Sequence, residues 1–578
     1  MIKRILSYMR PYRKYTILAI FCIAVEAMFE LVIPLIMSNI VDIGVATGNR
    51  EYIFSQGLLM CACAVVALFL GIGSSKFAAT AGQGLGAELR RAEYRKLQSF
   101  SFANTDHFQT SSLVTRLTSD VTAVQVTVST GLRPAVRAPV MMVTALVMSF
   151  TINAQLAFVF VVAAPILAFL LFQVVSHVRP LYTRMQGAVD MVNRIVQENL
   201  TAIRVVKAYV REDYEVEKFS QVNENLQHTA EKAFRIATLN MPAMQLVMYS
   251  TILAILWFGG NLTMVGGMQV GALTGFLSYV LQVLNSLMMI SGVFLMATRS
   301  LASGKRILEI MDEEIDIKEE PGVTVPDARV TKGDIVFDHV SFKYKKEAKE
   351  NVLTDLSFHI YPGQTVGILG QTGSAKSTLV QLIPRLYDAT EGTVLVDGRP
   401  VQEYPLKHLR DAIAMVLQNN TLFSGTVKEN LRWGKADATD EEIEAACRIA
   451  CVDEFIDRLS HGYDTDLGQG GVNVSGGQKQ RLCIARAILK APKVLILDDS
   501  TSAVDTATDA KIRQGLAEEL PGMTKIIIAQ RVTSVQSADQ IIILEDGRIT
   551  DIGTHEALLK RNAFYHGLYT SQQKGALE

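Results

Sequence analysis

Hydrophobic residues run along this chain in two different rhythms. From Tyr15 to Val41 almost every position is apolar, after a segment, Met1 to Lys14, that carries Lys3, Arg4, Arg10, Arg13 and Lys14. Such a run exceeds the roughly 20 residues needed to cross a bilayer, and it lacks the short apolar core and small-residue cleavage site of a signal peptide. Five more runs follow at residues 53–79, 138–153, 156–178, 241–262 and 271–297. They predict six membrane helices in all. Pro139, Pro165 and Pro242 fall in or beside them, which membrane helices tolerate better than soluble ones. The intervening stretches 80–137 and 179–240 are long, polar and helical in periodicity. They are too long for ordinary loops and predict that membrane helices continue beyond the bilayer as two hairpin arms. An arm of about 25 residues would reach roughly 38 Å.

Near residue 299 the apolar pattern stops. Residues 313–334, with Pro321, Gly322, Pro326 and Gly333, read as a linker, and from Ile335 strand-like and helix-like patterns alternate as in an α/β domain. The expected division is a membrane domain over 1–320, a linker over 321–334 and an α/β domain over 335–578. Basic residues orient the first part. With the N-terminus inside, the outer loops 42–52, 153–155 and 261–270 hold only Arg50. The inner segments hold Arg90, Arg91, Arg95, Lys96, Arg116, Arg133 and Arg137, then Arg179, Arg184, Arg194, Arg204, Lys207, Arg211 and Lys218. This asymmetry predicts that both arms and the α/β domain are cytoplasmic, in a multi-pass protein of the cytoplasmic membrane.

Composition adds limits. At 578 residues the chain exceeds one domain, and its 49% hydrophobic content comes from the first half. A formal charge of −1 argues against nucleic acid as a partner, which would call for a basic surface. Cys22, Cys61, Cys63, Cys447, Cys451 and Cys483 show no metal-ligand spacing and read as reduced packing residues.

Candidate chemistry lies in the α/β half. An apolar run ends in Gly370-Gln371-Thr372-Gly373-Ser374-Ala375-Lys376-Ser377-Thr378 and continues as a helical pattern. Strand, glycine-bearing turn and helix in that order form the context of a phosphate-binding P-loop, whose backbone N–H groups converge on negative charge. Lys376 is then placed to reach the terminal phosphates and the Ser377 hydroxyl to meet Mg²⁺. The competing reading is a strand-to-helix turn with an incidental lysine. Ala375 stands where the pattern asks for glycine, and its methyl group makes any φ > 0 costly.

Other polar residues close apolar strands or open helices in a fixed order. Tyr344 precedes the P-loop, Gln418 follows Met415-Val-Leu, and Ser475-Gly476-Gly477-Gln478 opens a helix. Val494-Leu-Ile-Leu ends on Asp498-Asp499, Ser502-Ala-Val-Asp505 comes next, and Ile526-Ile-Ile-Ala ends on Gln530. This set resembles the nucleotide-binding domain of ATP-binding-cassette (ABC) transporters. The six-helix half with its two hairpins is similar to their type IV exporter architecture, and Leu113–Asp120 and Glu198–Tyr209 are similar to stretches flanking that family's coupling helices. The resemblance covers essentially the whole chain and implies ATP and Mg²⁺ as cofactors. It implies that Tyr344, otherwise a strand-edge aromatic, stacks on adenine and that Gly370 to Thr378 wrap the phosphates. Ser377, Gln418 and, through water, Asp498 would hold Mg²⁺. Because two such domains face head to tail, Ser475, Gly476, Gly477 and Gln478 would cap the nucleotide of a partner chain.

Two departures from the family pattern sharpen the expectation. The family places Glu after the strand-ending Asp, to polarise the attacking water; this chain has Asp499, one methylene shorter, and a displaced base loses the geometry it depends on. The family places His at the γ-phosphate switch; this chain has Gln530, which carries neither a transferable proton nor a charge. Asp499 and Gln530 are therefore read as degenerate catalytic positions, in a site that binds ATP and hydrolyses it poorly. An intact Ser475–Gln478 signature beside a degenerate site makes sense if the signature completes a competent site elsewhere. The expected assembly is a heterodimer with a related half-transporter.

Substrate is less legible. Glu26 and Glu30 lie one turn apart on the first membrane helix, and intramembrane carboxylates default to function, here attraction of small cationic amphiphiles. Alternatively they face a water-filled cavity or pair with a partner-chain group. Methionines at 141, 142, 148, 241, 244, 248, 288, 289 and 296 suit an adaptable wall, though methionine is ordinary in membrane helices. Multidrug export is the leading reading; lipid or peptide export, or a regulatory half that gates its partner, are the alternatives.

Overall fold

The structure, a computed structural model, describes residues 1–345, 348–500 and 503–574; Ser502 lies outside them. Two compact units emerge: Met1–Gln98 with Thr110–Glu313, and Ser99–Gln109 with Glu314–Glu578.

The first unit is helical. Its main elements are α1 (Arg13–Asn39) and α2 (Arg50–Gln98); after a short helix α3 (Phe102–His107), which falls in the second unit, come α4 (Leu132–Ile152), α5 (Ala154–Thr201), α6 (Glu212–Thr238), α7 (Asn240–Met264) and α8 (Val270–Asp312). Among the described residues five helical stretches are long and apolar enough to cross a membrane, and α5 adds the apolar Ala154–Ala163. The helices do run on past their apolar parts: α2 has 49 residues and so spans about 74 Å. Without a hydrophobic drive between helices in lipid, close packing holds such a bundle. Small residues on α2 permit it. A Cβ on Gly82 would stand 2.8 Å from the backbone nitrogen of Ser129. The buried centre gathers Leu31, Phe160, Ile255, Phe276 and Tyr279. One turn before Pro34, which interrupts the α1 ladder, the Tyr279 hydroxyl donates to the Leu31 carbonyl at 2.7 Å.

The two membrane glutamates are not free. Glu26, 4% exposed, accepts from Arg133, and the Arg137 guanidinium lies 3.5 Å from Glu26 while also donating to Glu30. Gly71 leaves room for the cluster, since a Cβ there would lie 3.0 Å from Glu26 Oε1. Two carboxylates therefore face two guanidinium groups of the same chain, and the net charge that would attract a cation is cancelled. The pairing sets Arg133 and Arg137 beside the middle of α1. Removing one side of a buried pair costs about 3–5 kcal/mol, whereas replacing both sides with apolar groups is often neutral. Glu26→Leu alone should lower the melting temperature of the protein in detergent sharply, and Glu26→Leu with Arg133→Leu should recover most of the loss.

All six cysteines are unpaired. Cys63, Cys447, Cys451 and Cys483 are buried and Cys22 partly so, but Cys61 is exposed.

The second unit is α/β. A four-stranded sheet has the order β2-β1-β4-β5, with β1 (Ile335–Phe342), β2 (Leu353–Ile360), β4 (Glu391–Val396) and β5 (Arg399–Pro400). A six-stranded sheet has the order β10-β9-β3-β8-β7-β6. Its strands are β3 (Thr365–Leu369), β6 (Ile413–Val416), β7 (Val494–Asp498), β8 (Thr524–Ile528), β9 (Gln540–Glu545) and β10 (Arg548–Gly553). β9, β3, β8, β7 and β6 are mutually parallel, and β10 closes the edge antiparallel. β7 and β8 are buried at every position, which is why they read as continuous apolar runs. Residues read as a linker are tied to this unit: Asp397 accepts from the backbone N–H groups of Thr331, Lys332, Gly333 and Asp334, and Val325 N–H donates to the Glu403 carbonyl. Burial alone would raise the Asp397 pKa, but the four donors hold it below the ordinary carboxylate value.

Candidate nucleotide site

In a parallel sheet, ligands collect beyond the carboxyl ends of the strands. Here β3 ends before Gly370, β8 before Gln530, β7 on Asp498 and β6 before Gln418, so four adjacent strands aim their ends at one place. A cavity of about 310 Å³ lies there. Thr372 to Thr378, Gln418, Asp498, Asp499 and Gln530 line it.

The turn after β3 has the conformation a P-loop needs. Gly373 has φ +88°, and Ala375 has φ +68°, in the left-handed region despite its methyl group. The expected strain is thus present and borne, at about 1 kcal/mol. Gly370 has no alternative, because a Cβ there would meet the Leu544 carbonyl at 2.1 Å. The helix that follows, α9 (Lys376–Gln381), has only six residues, shorter than the sequence pattern suggests. Stabilisation of an anion therefore rests on the loop N–H groups and Lys376 more than on a helix dipole. The Lys376 ammonium donates to the carbonyls of Gly370 at 2.9 Å and Gln371 at 2.7 Å. Those two residues thus hold the lysine, and neither lines the cavity. Burial depresses the Lys376 pKa, while Asp499 and Asp498 oppose the shift.

The carboxylates are paired differently. Ser377 donates to Asp498 at 2.9 Å, which aims a hydroxyl and a carboxylate at one point beside Gln418. That oxygen-only donor set suits Mg²⁺. Burial raises the pKa of Asp498 and of Asp499. Asp499 lies just past β7 with φ +48° and accepts from Gln530 Nε2 at 2.8 Å. The two departures from the family pattern are therefore hydrogen-bonded to each other.

Tyr344 is beside the cavity and not among its lining residues; it is 48% exposed and its hydroxyl shares a hydrogen bond of 2.8 Å with Thr378. The structure does not bring Ser475, Gly476, Gly477 or Gln478 to the cavity. They open α10 (Gly476–Leu489), where Ser475 and Gln478 cap each other: Gln478 N–H donates to Ser475 Oγ and Ser475 N–H to Gln478 Oε1 at 2.8 Å. Gln478 is thereby occupied in its own helix cap. Some positioning residues carried no sequence signal. Gln572 donates to the Gln530 carbonyl at 2.9 Å and accepts from Val532 N–H at 2.8 Å, and Gln480 accepts from Ala503 N–H at 3.0 Å. Each is a glutamine on a helix, and only the fold brings it to its partner.

Comparison with known proteins agrees with this geometry. The ABC transporter transmembrane region family matches residues 16–287, and a second family, described as ABC transporter, matches residues 353–502. An uncharacterized ABC transporter ATP-binding protein of Bacillus subtilis, YfiB, is 40% identical over 99% of this chain and 98% of its own length. A putative multidrug export ATP-binding/permease protein of the same organism, YgaD, is 31% identical over 99% of both chains. A bacterial Atm1-family ABC exporter solved with ATP bound shares the fold, with a TM-score of 0.80 over 97% of this chain and 98% of that chain at 24% identity. The helical unit and the cleft at the ends of β3, β6, β7 and β8 are those of one polypeptide that joins a transmembrane region to an ATP-binding domain, and the chain belongs to the ABC transporter family as an ATPase-coupled half-transporter.

Proposed function

We propose that this chain is the degenerate-site half of a heterodimeric exporter of the cytoplasmic membrane. It holds Mg²⁺-ATP for long periods and lends its signature to the hydrolytic site of a related chain. The observation that carries the reading is the Gln530–Asp499 hydrogen bond. The residue at the base position is shortened and satisfied by an amide, and that amide replaces the group that would contact the γ-phosphate. A general base contributes typically 10²–10⁴-fold to rate, so the loss is large. Thr372 to Thr378, with Tyr344 beside them, hold the nucleotide, while Gly370 and Gln371 position Lys376; Ser377, Gln418 and Asp498 hold Mg²⁺, which neutralises phosphate charge. Ser475, Gly476 and Gly477 face the partner's nucleotide, and Gln478 supports them as a cap.

Purified alone in lipid, the chain should turn over ATP about 100-fold more slowly than when co-purified with its related half. Full activity from this chain alone would make the homodimer the better assembly. The transported solute is an amphipathic small molecule, in line with the multidrug-export name of one relative. The Glu26–Glu30 pair is not assigned to attracting it, because both carboxylates are neutralised by Arg133 and Arg137.

A further inference from the structure

Side chains spaced four apart on α2, Ala81, Leu85 and Leu89, are buried in one apolar cluster with Val121, Val124 and Ile307. Glu93 takes the next place on that stripe. It lies about 21 Å along the helix beyond the apolar run 53–79. Its side chain is 0% exposed, and among the described residues neither carboxyl oxygen has a hydrogen-bond partner. The charges around it are engaged with one another. A π-helical turn, Arg116–Asp120, packs against α2 and α8. From that turn Asp120 accepts from the Arg306 guanidinium, with Nε at 2.7 Å. Arg116 donates to the Arg306 carbonyl at 2.8 Å and pairs with Glu309 at 3.0 Å. On α2 itself Arg90 donates to Thr122 at 3.1 Å and to Gln125 at 3.2 Å. The helix Val121–Ser129 adds no charged side chain. An ionised carboxylate without hydrogen bonds is costly to bury, so such a group takes up a proton instead. Burial and then the Asp120 carboxylate push the Glu93 pKa up to about 7, against the pull of Arg116 and Arg90.

We propose that Glu93 is a proton-binding site that fastens the base of the first arm. With the proton on, a neutral carboxyl completes the apolar stripe, and α2 closes on the turn Arg116–Asp120 and on α8. With the proton lost to bulk water, a carboxylate without a donor faces the carboxylate of Asp120, and the packing loosens. Opening returns Glu93 to water and to its ordinary value near 4.5, so opening releases a proton between about pH 4.5 and 7. The packed form therefore binds more protons than the open form, and it weakens as pH rises through that window. Asp120 does not titrate there. Burial alone would raise its pKa, but the bonds from Arg306 and Ser303 hold it below the ordinary carboxylate value.

The test is amide hydrogen exchange of the full chain in lipid nanodiscs at about pH 5.5 and about pH 7.5, with each rate taken relative to the unstructured peptide so that the intrinsic pH dependence cancels. Protection over 85–96 and 116–124 should fall about tenfold from the lower pH to the higher. Glu93→Gln is neutral at both, and its protection should change by less than about twofold. Glu93→Leu, which extends the stripe of Leu85 and Leu89, should behave in the same way and be better protected than the parent at the higher pH. Constant protection in the parent, or the same fall in both variants, would overturn the inference. Failure of both variants to fold, or their low protection at both pH values, would also overturn it, because the packing would then need a carboxylate.

Discussion

Asp499→Glu combined with Gln530→His should raise this chain's own ATP turnover at least about tenfold, while either change alone gives no more than about twofold. The reason is their mutual hydrogen bond of 2.8 Å. A glutamate placed beside Gln530 remains held by an amide that has no role at the γ-phosphate. A histidine placed beside Asp499 finds a carboxylate one methylene too far from the attacking water. Groups that share one hydrogen bond are expected to couple non-additively. Steady-state turnover of the four chains, each with the partner's P-loop lysine removed so that only this site can act, measures the coupling. Additive single effects would show that Asp499 and Gln530 act independently, and strong activity in the unmodified chain would remove the case for degeneracy altogether.

The second large effect is at the signature. Gly477→Asp should reduce turnover of the assembled transporter by about 100-fold, whereas Lys376→Ala should reduce it only about threefold. A Cβ at Gly477 would lie 2.8 Å from the Ala503 carbonyl, so the α10 entrance must shift and can no longer present Ser475 and its N–H groups to a nucleotide. Lys376, by contrast, serves a site that in this reading does not cycle. Binding of a fluorescent ATP analogue to this chain alone should show the reverse ranking, with Lys376→Ala weakened and Gly477→Asp unchanged. If both substitutions reduced turnover equally, the two composite sites would be equivalent and the asymmetric reading would fail.

Periodicity was sufficient for the architecture. Long apolar runs, two polar helical arms and a strand–helix alternation are local signals, and α2, with its 49 residues, carries both membrane and arm in one pattern. The glycine-bearing turn after a buried strand was equally legible, because backbone N–H convergence depends on consecutive residues; the positive φ of Gly373 and Ala375 is that same local requirement. The end of each parallel strand also marked its polar residue, so Gln418, Asp498, Asp499 and Gln530 were found before they were seen together.

Pairings across the chain were not legible. Sequence alone left Glu26 and Glu30 to attract a cation, face a water-filled cavity or pair with a partner chain; only the packing of α1 against α4 brings Arg133 and Arg137 to them, each pair 107 positions apart. The Gln530–Asp499 bond joins two strand ends that are 31 residues apart in sequence and adjacent in the sheet. Tyr387 carries no signal in the sequence, and it meets Asp106, 281 positions away, only because α3 packs in the nucleotide unit. What the sequence by itself determined is what neighbouring residues decide through backbone geometry and hydrophobic period. What only the tertiary structure decided is which charges cancel and which side chains share a hydrogen bond, because those depend on distances that close when remote elements pack.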